Sequence, residues 1–149
     1  MQIIYILFFS LLSIAAFAQD NNTVQWKVES IQKDKGTVQL VMTATVKKGW
    51  YVYSQYLESD DGPVKTSIEL EENKSITKID TALEQGDKIE GYDALFDMNI
   101  TKYKNQLKIT QTLQVNQATT VKGFVTYMSC NDEMCLPPTD FHFEIALKK

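Results

Sequence analysis

The chain has 149 residues, with 15 basic against 19 acidic side chains and a net charge of −4. Its lysines are scattered or paired, as at Lys47-Lys48 and Lys148-Lys149, so the concentrated positive surface that a nucleic-acid backbone demands is absent. The length suits one domain with a single modest core.

The first element in chain order is a targeting segment. Ile3 to Ile14 is apolar apart from Tyr5, Ser10 and Ser13, and Ala16-Phe17-Ala18 places small residues where a signal peptidase inspects them. The run is about a dozen residues, short of the roughly 20 that a spanning helix needs. A signal peptide over residues 1–18 and a secreted domain over 19–149 are expected, with no membrane span after signal removal. All charged residues follow Ala18, so the mature chain keeps its charge of −4. No cysteine follows the cleavage site, so no lipid anchor is expected there.

From Thr23 onward the pattern has period two. Val38, Leu40, Met42, Ala44 and Val46 alternate with polar residues, the mark of a half-buried strand. Further strands are expected at Val24–Ile31, Trp50–Tyr56, Thr66–Glu71, Ile76–Leu83, Ile100–Lys104, Leu107–Val115, Thr120–Ser129 and Phe141–Leu147. Turn signals stand at Lys35-Gly36, Lys48-Gly49, Asp60-Asp61-Gly62-Pro63, Gln85-Gly86-Asp87 and Lys104-Asn105. No segment has a 3.6-residue period. Short strands at this spacing predict an all-β, immunoglobulin-like antiparallel β-sandwich.

The chain has 2 cysteines, in the run Cys130-Asn-Asp-Glu-Met-Cys135. A strand runs into the first, and the second opens Leu136-Pro137-Pro138. Two strands joined by a short turn bring such flanking positions opposite each other, near the separation that a disulfide needs, and an exported protein is expected to oxidise them. As a staple the bridge is weak. Closing a loop of about six residues removes only about 2 kcal/mol of chain entropy, whereas a useful staple joins distant strands. A tight bridge at a hairpin tip is better suited to redox exchange. Asp132 and Glu133 place negative charge beside the sulfurs, which disfavours a thiolate. The pair is therefore expected to be attacked by a partner rather than to attack unaided.

Three segments carry a family resemblance. Tyr127-Met-Ser-Cys-Asn-Asp-Glu-Met-Cys-Leu-Pro-Pro138 resembles the cysteine hairpin of the N-terminal periplasmic domain of the bacterial thiol:disulfide interchange protein DsbD. Gly49-Trp-Tyr-Val-Tyr-Ser-Gln55 is similar to that domain's aromatic strand, and Leu95-Phe-Asp-Met-Asn-Ile-Thr-Lys-Tyr103, continuing to Leu107, to its cap loop and the strand after it. The resemblance implies an immunoglobulin-like domain that relays reducing equivalents in the periplasm, a protein-disulfide reductase component without a cofactor. It implies Cys135 as the sulfur that forms the mixed disulfide and Cys130 as the one that resolves it. Phe96 would be the cap, and Tyr51 and Tyr53 the aromatic lining. The implied partners are a thioredoxin-like or DsbD-type membrane electron donor on a separate chain, and periplasmic oxidoreductases as acceptors. Family members place five residues between the cysteines, and here there are 4.

Other readings of the same residues are a binding module with a structural disulfide, and a Cu(I) site. Met128, Cys130, Met134 and Cys135 are soft sulfur donors within eight positions, and His142 is a further candidate ligand. His142 alternates with Phe141 and Phe143, which predicts an outward surface histidine. Asp93 is placed near the implied cap loop. No nucleophile elbow, His-containing metal motif or phosphate loop supports hydrolase chemistry.

Overall fold

A computed structural model describes residues 23–149, and among them all regular structure is β. The signal peptide expected over residues 1–18 lies outside the described residues. Ten strands follow in chain order: β1 (Val24–Asp34), β2 (Thr37–Val46), β3 (Tyr51–Tyr53), β4 (Ser67–Leu70), β5 (Ile76–Lys78), β6 (Leu83–Asp93), β7 (Met98–Val115), β8 (Thr119–Tyr127), β9 (Ser129–Cys130) and β10 (Thr139–Leu147). Among the described residues no helix is long and apolar enough to cross a membrane.

The strands form two antiparallel sheets, the immunoglobulin-like sandwich expected from the alternation. The larger has the order β1-β2-β7-β3-β9, with β5 and β6 also paired to β7, and the smaller has the order β10-β8-β4. Period two explains the packing. Val38, Leu40, Met42, Ala44 and Val46 of β2 all turn inward and are buried. They meet Leu107, Ile109, Leu113 and Val115 of β7, and Val121 and Val125 of β8, in one core between the sheets. Each of the Val, Leu, Ile and Met side chains contributes about 1.5–3 kcal/mol on leaving water. Trp26 of β1 closes the open side, its ring 5.7 Å from Tyr127 and 6.5 Å from Phe141.

The sheet departs from the expected strands around β6 and β7. Gln85-Gly86-Asp87 and Lys104-Asn105 read as turns, yet both lie inside long paired strands and face each other. Asp87 pairs with Lys104 and Gly86 with Leu107, so Asn105 and Gln106 bulge between them. Asn105 has a φ of 57°, and its side-chain amide donates to Asp87 Oδ2 at 2.6 Å. Gly86 is required here, since its φ is 153° and a Cβ would lie 2.1 Å from the Gln106 carbonyl oxygen. The residues that signal a turn are those that a bulge demands. β6 was therefore hidden, and the expected strand Ile76–Leu83 is instead β5, a break over residues 79–82 and the start of β6 along the same edge of β7.

Candidate functional site around the cysteine hairpin

The expected strand Thr120–Ser129 breaks at Met128. β8 ends in the small sheet, and Ser129–Cys130 crosses to the large sheet as β9, paired with β3. The chain returns at Thr139, opposite Tyr127. The Thr23 hydroxyl lies 2.7 Å from that of Ser129 and anchors the crossing to the start of β1. Between crossing and return stands a small hairpin. Asn131 N–H donates to Met134 O and Leu136 N–H to Ser129 O, each at 2.9 Å. Asn131 Oδ1 accepts from the N–H groups of Glu133 at 2.9 Å and Met134 at 2.8 Å, which shapes the turn. Cys130 and Cys135 thereby face each other as a non-hydrogen-bonded pair, the closer type. Their Cα atoms are 4.0 Å apart and their sulfurs are bonded. Cys130 has 0% exposure, whereas Cys135 is partly exposed.

Register explains what surrounds the disulfide. Tyr51 lies opposite Cys130 on one side and Lys104 on the other. Tyr53 lies opposite Lys102, which in turn faces Ile89 of β6. Directly opposed residues share a face, so these side chains occupy the outer face of the large sheet, while Val52 turns into the main core. On that outer face Tyr51, Tyr53, Ile100, Met128 and Cys130 form a second apolar cluster, with Phe96 and Cys135 packed against it. Phe96 comes from the turn between β6 and β7, which is closed by the Asp93–Met98 pair and has Asp97 at a φ of 53°. Its ring stands edge-on to Tyr53 at 5.8 Å, and Tyr53 stands edge-on to Tyr51 at 5.8 Å, a favourable arrangement for aromatic pairs.

A polar chain runs beside this aromatic row. Asp93, 4% exposed, accepts the Leu95 N–H at 3.0 Å through Oδ1 and Lys102 Nζ at 2.7 Å through Oδ2. Lys102 Nζ lies 3.7 Å from the centre of the Tyr51 ring, a cation–π contact. The Tyr51 hydroxyl donates to the Asn131 carbonyl oxygen at 2.9 Å. The β6–β7 turn is thus connected to the cysteine hairpin through Asp93, Lys102 and Tyr51. Burial pulls the Lys102 pKa down, but the bond to Asp93 and the neighbouring Tyr51 oxygen outweigh it and leave the value raised. Burial raises Tyr51, with Lys102 opposing. Tyr53 is raised far above the usual phenol range, first by burial and then by Tyr51, and its hydroxyl has no hydrogen-bond partner. On the far side of β7, Glu84 accepts from Ser54 Oγ at 2.6 Å, Gln55 N–H at 2.7 Å and the Tyr103 hydroxyl at 3.1 Å. Those bonds hold the end of β3, and with it the tyrosine row.

Cys130, Cys135, Phe96, Tyr51 and Tyr53, singled out in the sequence, therefore meet in one cluster. Met128 joins them, whereas Met134 is 51% exposed in the turn. His142 faces outward on the small sheet, its ring 5.4 Å from that of Phe124. In this disulfide form the two thiols of the Cu(I) set are bonded to each other. Lys102 was missed, because no Lys or Arg stands near the cysteines in sequence and it is β7 that delivers one. Its parity with Ile100 was the available signal. Asn131 was missed as a turn-former, and Asp93 does lie at the base of the loop as expected.

A search of curated proteins finds no match. Among solved structures, the chain resembles the N-terminal periplasmic domain of ScsB from Proteus mirabilis with a TM-score of 0.63 and 16% identity. That alignment covers 85% of this chain and 47% of the other, so the chain spans about half the length of that relative. The N-terminal domain of DsbD from Neisseria meningitidis, in its reduced form, aligns with a TM-score of 0.56 and 17% identity over 83% of this chain and 86% of the other. These likenesses show the shared sandwich. The family model of the N-terminal part of thiol:disulfide interchange protein DsbD matches residues 16–146, nearly the whole chain. The chain belongs to the DsbD N-terminal domain family.

Proposed function

We propose that this protein is a periplasmic relay of reducing equivalents, acting through the Cys130–Cys135 pair. Family membership and the bonded cysteines support thiol–disulfide exchange in general. The observation that carries the finer reading is the asymmetry of the pair: Cys130 is fully buried in an aromatic cluster, and Cys135 is partly exposed at its edge.

A partner thiolate attacks Cys135 Sγ. The partner–Cys135 disulfide forms, the Cys130–Cys135 bond breaks, and the Cys130 sulfur leaves as a thiolate that takes up a proton. The partner's second thiol then attacks its own sulfur in the mixed disulfide and releases Cys135, so two electrons and two protons have moved. The reduced hairpin repeats the sequence in reverse on an acceptor oxidoreductase. Phe96, on the β6–β7 turn, acts as a cap over the disulfide until a partner displaces it, and Tyr51 and Tyr53 line the site. The electron donor is a thioredoxin-like or DsbD-type membrane protein. Export through the N-terminal signal delivers the chain to the periplasm, which keeps the pair under redox control.

Two measurements test this. A reduction potential below about −300 mV marks a resistant structural bridge and removes the relay. With a thioredoxin-like partner, Cys130→Ala is expected to trap a long-lived mixed disulfide at Cys135. Trapping by Cys135→Ala alone reverses the assigned roles.

A further inference from the structure

Beside the cysteine hairpin lies a groove of about 470 Å³. Trp50 and Ile89, both half-buried, give it apolar walls, Tyr51 separates it from the disulfide, and Lys48, Lys102 and Lys104 supply its charge. Lys102 is offset by Asp93. Lys48 and Lys104 are exposed and take part in none of the ion pairs among the described residues. Asp132 stands at the rim. Asp87, opposite Lys104 on β6, accepts from the Asn105 amide and does not line the groove, so the lining itself keeps a net positive charge on a chain whose total is −4.

Register fixes its distance from the chemistry. Lys104, Tyr51 and Cys130 are opposed across β7, β3 and β9, and Cys135 lies one pairing further, its Cα 4.0 Å beyond that of Cys130, so Lys104 is roughly 14 Å from the cysteine that a partner attacks. A protein that docks on Cys135 covers about 800 Å² of this surface, a patch wide enough to include the groove. A partner of that footprint can place part of itself over these lysines while it attacks the disulfide.

We propose that this groove is a docking subsite for a glutamate-bearing segment of the thioredoxin-like partner, an inference that rests on the exchange reading above. The carboxylate pairs with Lys48 and Lys104, and the methylene stem lies on Trp50 and Ile89. A subsite of this kind selects partners and speeds encounter more than it tightens binding. It also offsets the repulsion that Asp132 and Glu133 exert on an approaching thiolate.

The test uses the oxidised protein and two capped synthetic peptides. Each carries one cysteine, and four residues on, a span of roughly 14 Å, one carries Glu-Glu and the other Lys-Lys. The rate of mixed-disulfide formation of each is divided by its rate with 2-hydroxyethyl disulfide, which is uncharged and corrects for thiol pKa. At low salt the Glu peptide is expected to lead by roughly fivefold, and the lead is expected to vanish in concentrated salt. In Lys48→Glu/Lys104→Glu the preference is expected to reverse. Both side chains are exposed, so an unchanged melting temperature shows that the variant is folded. Equal rates in the wild type, or a preference that survives in the variant, overturn the docking subsite alone. An oxidised protein that reacts with neither peptide, in the wild type and in Phe96→Ala alike, overturns the exchange reading and the subsite together; where only Phe96→Ala reacts, the same comparison is read in that background.

Discussion

Tyr53 is a buried phenol whose hydroxyl has no partner. A buried donor left unsatisfied costs about 1–3 kcal/mol, so Tyr53→Phe is expected to leave stability unchanged or raise it by about 1 kcal/mol in urea titration. The same residue contributes to an alkaline limit, together with Lys102 and other buried tyrosines such as Tyr103. Burial in the fold raises the pKa of Tyr53, and the bond to Asp93 that of Lys102, above their ordinary values of 10.0 and 10.5. The native state therefore holds protons that the unfolded chain releases first. Their contribution is complete below the unfolded values and is lost as pH rises through the folded ones. Stability is expected to be flat with respect to these groups up to about pH 9 and to fall above about pH 10. Tyr53→Phe is expected to make that fall shallower, which urea midpoints at a series of alkaline pH values will show.

At the scale of elements, the β6–β7 turn and the cysteine hairpin come from distant parts of the chain and share one polar chain. Its central pair is largely withdrawn from water, with side chains 16% exposed at Lys102 and 4% at Asp93. Removing one partner of such a pair leaves an uncompensated charge, so Lys102→Met alone is expected to cost about 3 kcal/mol. Asp93→Asn/Lys102→Met is expected to recover most of that loss, and a double-mutant cycle in urea measures the coupling. If the Phe96 turn shields the disulfide, Phe96→Ala is expected to speed reduction by dithiothreitol by roughly tenfold, equal to about 1.4 kcal/mol of barrier. A rate unchanged within twofold denies the turn any shielding role.

Across the whole molecule, the disulfide lies outside the main core. That core is formed by β2, β7 and β8 between the sheets, while the disulfide closes a sequence separation of 5 at the β9 edge of the large sheet, in the outer-face cluster. Reduction is therefore expected to cost no more than about 2 kcal/mol and to leave the urea m-value unchanged. A larger loss on comparing oxidised and reduced protein would assign the bridge a structural role. A domain that stays folded in both redox states has the property that a relay requires.

Strict alternation marked β2 because its inner face is buried along its whole length, and β10 and the C-terminal half of β7 were legible for the same reason. β6 was not, since a strand of exposed polar residues carries no hydrophobic period and Gly86 and Asn105 signal a bulge and a turn alike. The site followed the same division. Two cysteines at hairpin spacing were visible in the sequence because local spacing decides what a tight turn can join, whereas the aromatic strand and Phe96 were marked out by the family resemblance. Only the tertiary structure decided that Met128 passes β9 to the other sheet, that Cys130 is the buried sulfur, and that Lys102, Lys104 and Ile89 stand on the face that carries the disulfide. Cross-strand register sets those neighbours, and register depends on packing between segments far apart in the chain.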